Sequence, residues 1–223
     1  MEVLAQGTSG LYTPLFGAAG LAQGNAFVAR ADDASAVHFN PAGLTQLEQP
    51  QVSLGASFVL PSVRYRGHGV SEEMDRKVGT IPNMYLASPI VEDRLAAGLG
   101  VTVPFGLSGK WRNNGFSRFV VTDFDLRVIN VNPSLAFRPS SFFSIGAGLD
   151  YYYAKSDQDK RLNVGVTNSA LTGLPVVPDT PEGFQNLETH GDAFGYNVGL
   201  LFSITPRHSI GVSFRSKADI HLE

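Results

Sequence analysis

Several stretches of this chain alternate between large apolar residues and small or polar ones. This period of two, with glycine recurring on one parity, constrains the fold more than any other feature. From Gln51 onward, Val52, Leu54, Ala56, Phe58 and Leu60 face away from Ser53, Gly55 and Ser57. The same arrangement returns with Leu95, Ala97, Leu99, Val101 and Val103 set against Ala96, Gly98, Gly100 and Thr102. It returns again with Phe143, Ile145, Ala147, Leu149, Tyr151 and Tyr153 against Ser144, Gly146, Gly148 and Asp150. Phe194, Tyr196, Val198, Leu200 and Phe202 then stand opposite Gly195, Asn197, Gly199 and Ser203. In the last stretch Ile210, Val212, Phe214 and Ile220 alternate with Ser209, Gly211, Ser213, Arg215, Lys217, Asp219 and His221. Successive side chains on a strand point to opposite faces, so each stretch predicts a strand with one greasy face. Two weaker strands are expected over about 82–88 and over 119–137, the latter with a slip near Val128 and Ile129 that predicts a bulge. The tally is about seven strands.

The connections divide into two kinds. Val91 to Asp93, Pro139 to Phe142 and Pro206 to His208 read as tight turns, whereas about 66–80, 105–117 and 156–190 read as long loops. Short turns at one end and long loops at the other are the layout of a transmembrane barrel, in which each strand shows one face to lipid and one to a lumen. Composition agrees: only 17% of the 223 residues are charged, with 24 Gly, 15 Phe and 7 Tyr. No run of about 18 apolar residues occurs, so a membrane crossing would use strands rather than a helix. A soluble β-sandwich has a similar profile and stays open as the alternative. Seven strands cannot close a barrel of the usual even count. The expectation is therefore a partial antiparallel barrel over 49–223 whose C-terminal half is missing. The start at Met1-Glu2-Val3-Leu4 shows no signal-peptide pattern and reads as a mature-like N-terminus with an added Met. A cytoplasmic protein is the alternative at that end.

Residues 1–48 are different. They are rich in Gly and Ala, show no period of two, and predict a compact plug with short helical turns between glycines. Within them, Asn40-Pro41-Ala42-Gly43 predicts a small rigid turn, because Pro41 fixes its own φ and biases Asn40 away from helix.

Sequence excludes several classes of chemistry. Net charge is −3 without a basic cluster, which speaks against a nucleic-acid partner. Cysteine is absent, and His38, His68, His190, His208 and His221 lack metal-ligand spacing. Gly146-Ala147-Gly148 lacks the third glycine of a dinucleotide loop, Gly109-Lys110-Trp111 fails the phosphate-loop pattern, and no Gly-x-Ser-x-Gly elbow occurs. Neither an enzyme nor a cofactor is expected.

The segment from Gly24 to Leu44, ending in Phe39-Asn40-Pro41-Ala42-Gly43-Leu44, resembles the N-terminal signature of the FadL/TodX outer-membrane transporter family. Ile81-Pro82-Asn83-Met84, Pro104-Phe105-Gly106-Leu107 with Trp111, and Phe214-Arg215-Ser216 follow in the family's order. The resemblance implies an outer-membrane barrel of a Gram-negative bacterium, closed inside by a hatch. It implies passive uptake of a hydrophobic ligand, a long-chain fatty acid or an aromatic hydrocarbon, with outer-membrane lipid or detergent as the other partner. A monomer is expected. It further implies a kinked third strand that opens the wall laterally, here around Gly98, Gly100 and Pro104, gated by Asn40, Pro41, Ala42 and Gly43. A family-like scaffold without cargo is the alternative.

Candidate ligand contacts are Phe105 and Leu107, with Leu171, Leu174 and Phe184 in an apolar outer loop that also holds Val176 and Val177. Lys155 roughly matches a basic ligand-binding position of the family, while its parity points it to lipid. Asp123, Asp125 and Arg127 share a parity, as do Arg215, Lys217, Asp219 and His221. A charge on the lipid face costs about 2 to 4 kcal/mol at midplane, so both rows are expected in the lumen. There they would either pack the hatch or, through Arg215 or Lys217, meet a ligand carboxylate.

Overall fold

The computed structural model describes residues 12–67, 69–173, 181–205 and 207–223. His68, Leu174, Val176, Val177 and Pro206 lie outside the described residues. The chain opens with α1 (Ala18–Ala22), α2 (Ala36–Phe39) and a 3-10 helix (Pro41–Gln46). Strands β1 (Gln51–Val59), β2 (Arg64–Gly67), β3 (Val70–Glu73), β4 (Gly79–Val91), β5 (Leu95–Lys110), β6 (Asp123–Ser140) and β7 (Phe143–Leu162) follow. Helix α3 (Val164–Thr172) then leads to β8 (Gly183–Thr205) and β9 (His208–Arg215). Seven of these strands form one antiparallel sheet in the order β1-β4-β5-β6-β7-β8-β9, and β2 and β3 make a separate hairpin. Among the described residues β1 and β9 do not pair, so the sheet is an open half-barrel curved around the N-terminal segment.

Alternation dictates which face meets which medium. On β7 the residues of one parity, from Ser144 to Ser156, are buried, while the other parity from Ile145 to Tyr153 is exposed. The exposed row is apolar from Phe143 to Tyr153, which matches the nine to eleven residues a tilted strand needs to cross hydrocarbon. Aromatic side chains crowd one end of that band, where Tyr151 meets Phe194 and Tyr196 meets Phe214 at ring separations of 5.1 and 6.0 Å. Such a girdle marks a membrane boundary.

Several expectations need correction. The sheet reaches well beyond the girdle: β7 and β8 are 20 and 23 residues long and stay paired out to Leu162 and Gly183. The span read as a loop over 156–190 is thus mostly strand, because polar residues on both parities erase the hydrophobic signal but not the backbone ladder. The loop over 66–80 contains part of the β2–β3 hairpin. It is tied to the segment after β5 by Tyr65 stacked on Phe116 at 3.9 Å and by the Glu72 carboxylate accepting the Phe116 N–H at 3.1 Å. β5 runs on to Lys110, and β6 starts only at Asp123.

The bulge expected near Val128 and Ile129 lies instead on the partner strand. Thr102 pairs with Asn130 and Phe105 with Val128, so β5 carries the extra residue, while β6 buries Val128, Asn130, Asn132, Ser134 and Ala136 without a break. β6 therefore puts Asp123, Asp125 and Arg127 on the outward parity, not in the lumen. The expected energetic objection does not arise, because Arg127 pairs across to Lys155, one outward step past Ile129 and Tyr153, beyond the girdle. Ion pairs of Arg127 with Asp125, and of Lys155 with Glu188 and Asp157, line this outer band.

Leu149, exposed within the apolar band, and Lys155, exposed above it, test this placement. Leu149→Arg is expected to destabilise the full-length protein by about 2 to 4 kcal/mol. Lys155→Leu, at an exposed ion pair in the outer band, is expected to leave stability essentially unchanged. Denaturant unfolding in phospholipid vesicles measures both.

Candidate functional site: the hatch and a gap in the wall

An irregular backbone inside a lumen has no ladder to satisfy its N–H and C=O groups, so the wall must supply partners. The inner parity of the strands does so. Tyr85 donates its hydroxyl to the Phe16 carbonyl at 2.7 Å, and Asn197 donates to the Val37 carbonyl at 3.1 Å. Ser144 shares a 2.9 Å bond with Thr45. Behind this layer, Asn132 reaches Asn197 at 3.3 Å and Asn130 donates to the buried Asp150 carboxylate at 2.8 Å.

The Asn40-Pro41-Ala42-Gly43 turn is the anchor. Asn40 is fully buried, donates to the Val28 carbonyl at 2.8 Å and the Leu200 carbonyl at 3.0 Å, and accepts the Ala42 N–H at 3.1 Å. Space for it comes from missing side chains on the wall. A Cβ at Gly199 would strike the Asn40 amide, and one at Gly146 would strike the Pro41–Ala42 backbone. Gly43 packs in the same way against the Ala31 backbone. The turn therefore belongs to β7 and β8.

Gly98 and Gly100 face the hatch elsewhere, against Val37 and, respectively, Leu44 and Tyr85, in the regularly paired part of β5. Pro104 is separate again. Pairing of β5 with β4 ends at Thr102 and Asn83. Continued, the register would need Pro82 and Pro104 within the ladder, and neither has an N–H to give. A gap thus opens between β4 and β5 at Val103–Phe105. The N-terminal segment fills it: the Thr13 N–H donates to the Pro104 carbonyl at 2.9 Å, its hydroxyl to the Val103 carbonyl at 2.7 Å, and Tyr12 bridges Phe105 with rings 5.6 Å apart. Sequence reasoning missed Tyr12 and Thr13; the two prolines were the signal that could have found their partner.

The bulge also flips parity, so Phe105 and Leu107 face inward with Val128 and Leu126, their direct partners on β6. Phe105 packs on a buried cluster of Val128, Tyr152 and Ala154. Arg215 faces inward, ion-paired to Asp150 and donating to the His38 carbonyl at 3.1 Å. Lys217 is exposed and paired with Asp219 at 3.0 Å. The expected polar row of the last strand ends early, because β9 stops at Arg215 and the chain beyond it leaves the ladder. Lys155 stands outward, as its parity implied. Leu171 on α3 and Phe184 on β8 are exposed beyond the girdle.

A family model described as outer membrane protein transport protein (OMPP1/FadL/TodX) matches residues 6–223. The chain belongs to this family. A long-chain fatty acid transport protein of Escherichia coli O6:H1 is 30% identical over 213 residues, covering 86% of this chain and 46% of the relative. Outer membrane protein P1 of Haemophilus influenzae Rd is 27% identical, covering 85% and 49%. Among solved structures, a Pseudomonas aeruginosa FadL homologue superposes with TM-score 0.69 at 20% identity, covering 94% of this chain and 53% of that one. The Pseudomonas putida toluene transporter TodX gives TM-score 0.63 at 17% identity, covering 83% and 51%. The chain spans about half the length of these FadL-family relatives. Like them it is an outer-membrane protein of a Gram-negative bacterium, and the relatives are transport proteins rather than enzymes.

Two outcomes follow for the N-terminal segment of this FadL-family chain. Asn40→Ala leaves two carbonyls and one N–H without their partner, a loss of about 2 kcal/mol. Amide exchange over residues 36–46 should speed up roughly 30-fold. The second concerns His38, which stacks on Phe16 at 3.6 Å. Burial, and then the Arg215 guanidinium, hold its imidazole well below the ordinary value of 6.5. The unfolded imidazole takes up a proton near 6.5 while the folded one stays neutral, so the unfolded state binds more protons and stability falls as pH drops through that value. Hatch proteolysis should accelerate from pH 7.5 to 5.5 in the parent protein, and less steeply in His38→Gln.

Proposed function

We propose that the parent protein carries hydrophobic small molecules across the outer membrane by passive diffusion, and that cargo leaves sideways through the gap between β4 and β5. The observation that carries this reading is the plugged gap: Thr13 occupies hydrogen-bonding positions at Val103 and Pro104 that β4 does not fill. Among the described residues two hydrogen bonds from Thr13, each worth about 1 kcal/mol net, and the Tyr12–Phe105 bridge hold that plug, so it can leave and return. Transfer of apolar area out of water drives the molecule, at about 25 cal/mol per Å2. The E. coli relative is named for long-chain fatty acids and the P. putida structure for toluene, and both cargoes need the same apolar route. The inward Phe105, packed on the buried Val128, puts apolar surface beside the gap and supports this reading. In this reading the Asn40 turn is the fixed root of the hatch, and Tyr12 and Thr13 are its moving part.

Tyr12→Cys with Phe105→Cys tests it. Opposed strand residues place their Cβ atoms about 4.5 to 5.5 Å apart, within reach of a disulfide. Oxidation in cells should reduce uptake of a labelled long-chain fatty acid and of toluene to the background of cells lacking the protein, and a reductant should restore it. Wild-type uptake with the pair fully oxidised contradicts the gate. Background uptake of both cargoes by the unmodified protein would instead leave a scaffold role.

A further inference from the structure

Outside the girdle, like charges face one another across the strands. The register sets Arg127 of β6 opposite Lys155 of β7, one outward-facing pair beyond the exposed Ile129 and Tyr153. The next outward-facing pair, Asp125 and Asp157, is acidic, and Glu188 of β8 continues it. Like charges directly opposite one another repel. A wall built only for internal ion pairs would set opposite charges across from each other; here the cations stand next to the apolar row and the carboxylates one step farther out. On β8 the residue level with Tyr153 is Asp192, which confines the cationic pair to β6 and β7.

The neighbouring acids use only part of what the two cations offer. Arg127 grips the Asp125 carboxylate with one edge of its guanidinium, through Nε at 2.8 Å and Nη2 at 2.9 Å. The end-on edge formed by Nη1 and the second Nη2 hydrogen has no partner among the described residues, and the side chain is 73% exposed. Lys155 Nζ meets Glu188 and lies 3.8 Å from Asp157, which leaves an ammonium donor for a further acceptor. Residues opposed in an antiparallel pair hold their Cβ atoms about 4.5 to 5.5 Å apart, so both heads can reach one anion. A planar fork beside a point charge suits a phosphate, which takes the fork in two parallel bonds.

We propose that Arg127 and Lys155 clamp the phosphate of an outer-leaflet glycolipid, whose acyl chains lie along the apolar row that begins at Ile129 and Tyr153. Both residues stand toward the long connections that follow β5 and β7, and away from the tight turn between Ser140 and Phe143. Long connections are extracellular in such barrels, so the pair meets the headgroups of the outer leaflet. The acidic row repels an anion arriving from the loop side. The approach left open is from the membrane side, where a lipid phosphate tops its own chains. A phosphate monoester, with close to two charges and three free oxygens, fills the clamp better than the diester of a zwitterionic phospholipid. The clamp is independent of the cargo route.

The full-length protein, freed of endogenous lipid in detergent, is titrated with bisphosphorylated lipid A, with the same glycolipid stripped of its phosphates, and with phosphatidylethanolamine, and binding is read by native mass spectrometry. Lipid A should bind at least tenfold more tightly than the other two. Arg127→Gln and Lys155→Gln should each weaken lipid A roughly tenfold, whereas Lys155→Arg should keep it. Arg64→Gln, on the β2–β3 hairpin away from the wall, should change nothing. Unaltered migration of the unheated barrel on a gel shows that each variant is folded. Equal binding of the stripped glycolipid, or wild-type affinity in both Gln variants, overturns the clamp. Displacement of lipid A by an equal concentration of inorganic phosphate shows a site for a free anion and overturns the assignment to a lipid.

Discussion

The hatch holds because the inner wall of the sheet hydrogen-bonds to a backbone that has no ladder of its own. A strand in a barrel gets its main-chain partners from its neighbours, whereas a folded segment inside the lumen must find them among side chains. Tyr85, Asn197, Asn40 and Arg215 each donate to a main-chain carbonyl across this interface. For the strand residues Tyr85, Asn197 and Arg215 the position is fixed by the period of two, which puts one side chain in every two on the inner face. Glycine completes the fit: at 146 and 199 the wall recedes so that the Asn40 turn can lie against bare backbone. The plug is therefore hydrogen-bonded to the wall as well as packed on it, through Val37 and Leu44 against Tyr85, Ala87, Ala96 and Ala136, while Phe16, Phe27 and Phe39 pack on one another within it.

That interface is uneven, and its unevenness separates a root from a tip. Around Asn40 the turn is buried, seated on β7 and β8 at Gly146 and Gly199 and bonded to the Leu200 carbonyl. At Tyr12 and Thr13 two bonds reach a strand edge that β4 has already left. The wall is weakest where Pro82 and Pro104 would enter the β4–β5 register one after the other, opposite Val103 and Ile81, because neither has an N–H to give. The bulge on β5 follows from the same defect and turns Phe105 inward, so one local failure of pairing creates both the gap and the apolar surface beside it.

Much of this was legible in the sequence, for physical reasons that differ by element. β7 and β8 were readable within the membrane because lipid on one side and a tight lumen on the other enforce strict alternation. Their outer halves were not, since with water on both sides Asp157, Gln158 and Asp159 bear no trace of the pairing that the backbone maintains out to Leu162. The outward placement of Asp125 and Arg127 was misjudged for a related cause: a charge is excluded from the hydrocarbon, not from the outward parity. The Asn40 turn was identifiable from its prolyl constraint, but its seat on Gly146 and Gly199 required knowledge of contacts far apart in the chain. The exit of the chain from the ladder after Arg215 was hidden most completely, because its alternation is that of a strand.

Residue-resolved amide exchange of the full-length protein in lipid, with and without a saturating hydrophobic cargo, tests most directly whether the N-terminal tip rather than the Asn40 turn is the gate. Cargo should deprotect the Thr13 amide, which is bonded to the Pro104 carbonyl, while the Ala42 amide, bonded to the Asn40 side chain, keeps its protection. Loss of protection at Ala42 with Thr13 unchanged would contradict it and place the moving part at the root.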